Sequence, residues 1–171
     1  MSAHQVTVTR TTTSVHTTSA ILLNIGYFKT IPGILKVLQL AISIIVVGIL
    51  GNYIWTTASS RYTAYQVFVT ELYLLLIATT ALIATFCLTL SCLVSIATGT
   101  IIAKTIFEVI YHFTITLLYT AGGLAYIVLI NDNKGTVYNK DTKMAAAVLA
   151  LINGLLYALS TFYAWRAYKR G

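Results

Sequence analysis

Four long apolar stretches follow one another along the chain, over about residues 34–55, 68–95, 101–130 and 144–165. Each is longer than the ~20 residues that a helix rising ~1.5 Å per residue needs to cross a hydrocarbon layer. None alternates with a period of two, and Pro32 is the single proline, so the pattern predicts helices and not the strands of an outer-membrane barrel. The breaks are short and polar: residues 56–67, a few residues around 98–100, and "NDNKGTVYNKD" at 131–141. The expected architecture is therefore an all-α membrane protein, a four-transmembrane-helix bundle over about residues 20–168. It follows a threonine-rich tail, 1–19, whose low apolar content predicts disorder. Between the two, "ILLNIGYFKTIPG" is apolar enough to lie in the membrane interface before Pro32 and Gly33 open the first span.

Composition supports this picture. Of the 171 residues, 58% are hydrophobic and 9% charged, far from the balance of a soluble domain. The net charge of +7 sits in small groups between apolar segments, with no basic block interleaved with stacking aromatics, which argues against a nucleic-acid partner. Cys87 and Cys92, five apart in one span, point in different directions on a helix and predict no mutual disulfide. Cys92 lies near the end of its span, where a thiol is a candidate for lipidation; the simpler reading is a small buried residue. The N-terminus has no charged-then-apolar leader, so the first span is expected to act as the targeting signal.

Four spans put both termini on one side. That side carries Lys29, Lys36, Lys104, Arg166, Lys169 and Arg170, against Arg61, Lys134, Lys140 and Lys143 on the other, and six against four predicts cytoplasmic termini. Tyr53, Trp55, Tyr62 and Tyr65 would flank the outer face, and Tyr163, Trp165 and Tyr168 the inner one.

The fourth span repeats small residues every four positions, at Ala146, Ala150, Gly154 and Ala158, a stripe that lets a neighbouring backbone approach closely. Packing within the bundle is the expected use, with a homo-oligomer contact as the other. Gly48 and Gly51 in the first span, and Gly122 and Gly123 in the third, are expected to receive neighbours in the same way. No nucleophile elbow, phosphate loop or zinc-spaced cluster is present, so the sequence predicts no enzyme and calls for no cofactor or metal.

The chemistry worth weighing is in "KTIFEVIYH". Lys104, Glu108 and His112 recur at four-residue spacing, which places them along one face of a third-span helix. An intramembrane carboxylate is a functional candidate by default, yet Glu71, the other acid within a span, belongs near the opposite interface, and a transport site gathers its polar groups at the midplane. The favoured role is an intramembrane polar tie through Glu108 and His112, with Gln39, Ser43, Ser91 or Ser95 as partners, in which case Glu108→Gln would be nearly silent. The alternative is a small transporter or channel built on Glu108 and His112.

The lead-in "LNIGYFKTIPGILKVLQL", the minimal loops and "FEVIYHFTITLLYTAGGLAY" together resemble the MARVEL-domain proteins, in particular the small MAL, plasmolipin and chemokine-like-factor group and its insect members. The resemblance implies a non-catalytic organiser or adaptor in vesicle trafficking, sterol-rich membrane organisation or membrane apposition, including cell junctions. Its implied partners are membrane lipids and other integral membrane proteins, at the plasma membrane or on vesicle and endosomal membranes. The family's acidic residue of the third span corresponds to Glu108. Claudins and tetraspanins require cysteine-containing extracellular domains, and neither expected outer loop contains a cysteine.

Overall fold

The computed structural model describes residues 24–59, 65–133 and 137–170. A 3-10 turn at Ile25–Lys29 leads into α1, Ile31–Ser59, then α2, Tyr65–Val94, a short α3, Ile96–Ala103, α4, Ile106–Asp132, and α5, Lys140–Arg170. The tail, together with Arg61, Tyr62 and Lys134 of the expected outer loops, lies outside the described residues.

The four long helices have 27 to 31 residues each, about 40 to 47 Å of helix, enough to cross the hydrocarbon core and both headgroup layers. Their outward faces carry Ile44, Leu76, Ile83, Phe113, Leu117 and Leu155, all exposed, as lipid-facing surfaces are. The chain is an integral, multi-pass membrane protein.

Local chemistry fixes where the helices begin. Thr30 accepts the Gly33 amide at 3.2 Å on its Oγ1 and donates to the Tyr27 carbonyl at 2.7 Å, while Pro32 fills a first-turn position whose amide would have had no helical partner. A Cβ at Gly33 would fall 2.1 Å from the Tyr27 carbonyl oxygen, so only glycine lets the lead-in fold back against α1. The Asn24 amide then donates to the Leu93 carbonyl at 2.7 Å and ties the lead-in to the end of α2.

The second connection differs from the expected loop. Residues 96–103 form α3, capped by the Ser95 hydroxyl, which accepts the Thr98 amide at 3.2 Å. The third membrane helix starts at Ile106 and not near residue 101. Continuous hydropathy hides these two breaks, because they are made by a cap and a turn in segments that stay apolar.

The long helices pack as a closed ring: α1 touches α2 and α5, and α4 touches the same two, with α4 on α5 the most extensive pairing. The stripe on α5 makes that closeness possible. Ala146, Ala150 and Gly154 are buried, and a Cβ on Gly154 would lie 3.3 Å from the Tyr119 Cβ. The buried line then shifts to Tyr157, Ser160 and Ala164, leaving Ala158 half-buried. A strict four-residue repeat advances about 40° per step beyond whole turns, so its fourth member has rotated off the contact face. Gly122 and Gly123 do face neighbours, Tyr73 and Leu151 respectively.

Gly48 and Gly51 do not. Both are exposed with nothing within 4 Å of an added Cβ, which corrects the expectation that they receive a helix within the bundle. The polar residues of α1 decide its rotation: Lys36, Gln39 and Ser43 turn inward, which sends the two glycines outward. Gly154→Leu should therefore lower stability by about 1 to 3 kcal/mol through overpacking, and Gly48→Leu should leave it unchanged. Thermal unfolding of both variants in detergent checks this; equal losses would mean that α1 is rotated from the orientation described.

Candidate functional site

The bundle core is apolar in outline, with Val46, Leu50, Leu74, Ala78, Ala81, Tyr119, Tyr126, Ala147 and Tyr157 fully buried. Threaded through it are polar side chains that reach across the ring. The diagonal helix pairs, α1 with α4 and α2 with α5, lack the extensive approach of the adjacent pairs. Long side chains close those gaps. Ser43 meets the Tyr119 hydroxyl at 3.1 Å between α1 and α4, and Thr85 meets the Tyr157 hydroxyl at 2.5 Å between α2 and α5. Between adjacent helices, Gln39 donates to Ser160 at 2.7 Å and Asn153 to Ser43 at 2.9 Å.

The same diagonals carry two ion pairs. At the end of the bundle nearest the termini, Lys36 of α1 pairs with Glu108 of α4, and His112 Nε2 lies 3.5 Å from the same Glu108 oxygen. All three are buried, and Lys36 also donates to the Tyr27 hydroxyl at 2.9 Å. Burial pushes the Tyr27 phenol up to about 12 despite the neighbouring Lys36 charge, so it stays protonated at neutral pH. At the far end, Lys143 of α5 donates to Glu71 of α2 at 2.8 Å and to Thr57 of α1, and Thr57 donates to the same carboxylate oxygen at 3.0 Å. Glu71 is fully buried and Lys143 is 1% exposed.

Glu108 and His112 are thus brought together, as their spacing implied, but the partner across the bundle is Lys36 and none of Gln39, Ser43, Ser91 or Ser95. Lys104 is not part of the group: it sits exposed in the turn between α3 and α4, off the helix that carries Glu108. Cys92 is 3% exposed beneath the lead-in, whereas Cys87 faces outward. Gly99 of α3 also packs against Cys92, so the thiol has little exposed surface.

In the sequence Lys36 and Lys143 read as interfacial charges, which hides both pairings, although α1 carries one sign of the first. Lys36, Gln39 and Ser43 step by three and four along an otherwise apolar helix, the spacing of one inward face. Among the described residues no group of three or more His, Cys, Asp or Glu side chains is placed to hold a metal.

Beside the Lys36–Glu108 pair lies a cavity of about 80 Å³, walled by residues of the lead-in and of all five helices. Both charged clusters are self-neutralising, each a cation and a carboxylate with added hydrogen bonds. Chemically, each group is able to hold two diagonal helices in register.

The family comparison agrees with this architecture. Residues 27–163 match the MARVEL profile, described as a membrane-associating domain. No curated protein and no solved structure matches the chain. With the match covering most of the sequence and all four spanning helices, the chain belongs to the MARVEL family of membrane-associating domains.

Proposed function

We propose that the protein is a non-catalytic membrane organiser or adaptor, acting in vesicle trafficking, microdomain organisation or membrane apposition such as cell junctions. The observation that carries this reading is the placement of the buried charges. Glu108 and Glu71 are each neutralised by a lysine, at opposite ends of the bundle. A transport site would collect them at the midplane, where this protein has neutral hydroxyl and amide pairs. The outward surface is apolar and suited to lipids and to the helices of other integral membrane proteins.

The same proposal places both termini in the cytoplasm. Setting aside Lys36 and Lys143, one from each side, because their charges are neutralised within the bundle, leaves five basic residues against three, so the asymmetry persists. A transporter reading keeps one point in its favour: His112 Nδ1 is buried without a partner among the described residues, next to Glu108, an arrangement a proton relay would use.

A labelling enzyme fused to the N-terminus tests role and orientation together. It should mark cytoplasmic and vesicle- or junction-associated membrane proteins, and the purified chain in liposomes should carry no pH-dependent flux above protein-free vesicles. Labelling confined to the extracellular side would reverse the orientation. A flux lost in Glu108→Gln would put the transporter ahead.

A further inference from the structure

The cavity at the terminus end has unfilled valences. Lys36 Nζ has three N–H donors and, among the described residues, uses two, on Tyr27 and Glu108. Glu108 accepts from Lys36 on Oε1, with His112 Nε2 3.5 Å from the same oxygen, and among the described residues no side chain donates to Oε2. Lys36 and Glu108, at 2% and 6% exposure, both line the cavity, so one cationic donor and one anionic acceptor border the same small space. A simple anion there would meet Glu108, and a simple cation would meet Lys36. A group carrying both signs on neighbouring atoms satisfies each without repulsion.

The cavity continues into an outer groove. Pro32, Tyr163 and Ala167 line both, and the groove adds Arg166 and Arg170 on exposed turns at the end of α5. Two guanidinium groups at the mouth suit a phosphate, while Tyr27 and Tyr163 place the opening at the level where interfacial aromatics meet headgroups. The volume of about 80 Å³ holds several waters, and so has room for a small polar headgroup.

We propose that this cavity and groove form a binding site for a phospholipid whose headgroup is an α-amino-acid zwitterion, that is, phosphatidylserine. Its phosphate lies on Arg166 and Arg170, its ammonium on Glu108 Oε2 and its carboxylate on the free N–H of Lys36. Phosphatidylglycerol offers the phosphate alone, and phosphatidylethanolamine lacks the carboxylate for Lys36. The site depends on the proposed orientation only for the leaflet in which it meets anionic lipid; binding itself does not depend on that orientation or on the organiser role.

The test uses the full chain in a mild detergent with dioctanoyl forms of the three lipids, read by native mass spectrometry and thermal unfolding. Phosphatidylserine should bind about tenfold more tightly than phosphatidylethanolamine, the worth of one added charge-assisted contact, and by a wider margin over phosphatidylglycerol, which lacks two. Ala167→Leu, which narrows the shared wall, should remove that preference. Arg166→Gln with Arg170→Gln should weaken phosphatidylserine and phosphatidylglycerol alike, without loss of fold, since both side chains are exposed. Equal binding of phosphatidylglycerol would reduce the site to surface charge and overturn the proposal. Equal stabilisation by free O-phosphoserine would make the ligand a soluble one and overturn the lipid assignment. Absence of any lipid preference would leave water as the cavity's occupant, and would likewise overturn it.

Discussion

Lys143→Met should be the most damaging single substitution in the bundle, costing about 3 to 5 kcal/mol, the range for stripping one partner from a buried ion pair. Glu71 would then keep Thr57 as its one hydrogen-bond donor among the described residues, in a fully buried position with its second oxygen already without a partner. Glu71→Leu alone should be comparably harmful, because it strands the Lys143 ammonium. The double variant Glu71→Leu/Lys143→Met removes both charges and should recover most of the loss, since an apolar pair of similar volume often replaces a buried ion pair at little cost. Thermal unfolding of the three variants in detergent gives the coupling directly. Losses that simply add would mean that the two residues do not act as a pair.

The second large effect is at the other end. Glu108→Leu should destabilise by about 3 kcal/mol, toward the lower end of that range, because water in the adjoining cavity can solvate the stranded Lys36 ammonium. Glu108→Gln, which a hydroxyl-bonded tie would tolerate, should here cost about 1.5 to 3 kcal/mol, since the amide keeps the shape but leaves the lysine charge unbalanced. Adding Lys36→Met to either variant should restore stability. If Glu108→Gln matched the wild type in unfolding temperature, the carboxylate would not be ionised against Lys36 in the folded protein, and the ion-pair account of this end would fail.

These two clusters mark the limit of what the sequence determines by itself. The four apolar runs specify spans, because every backbone polar group in lipid must be satisfied within its own helix and the length needed is set by the bilayer. The "FEVIYH" segment likewise carries Glu108 and His112 on one helical face, a consequence of periodicity alone. Small residues on α5 announce a close neighbour, and Gly154 has one in Tyr119 of α4.

Helix rotation and pairing are different quantities. Hydropathy along α1 is nearly the same on every side, so it gives Gly48 and Gly51 no preferred direction; the inward pull of Lys36, Gln39 and Ser43 on partners 72 to 121 residues away decides it. A lysine at a span end reads as an interfacial charge until a carboxylate from the diagonal helix stands opposite it. That opposition exists only once four helices have closed into a ring. The spans are local in origin and legible in the chain. The ion pairs, the cavity beside Lys36 and Glu108, and the outward face of α1 are products of tertiary closure, because each depends on side chains that sequence proximity never brings together.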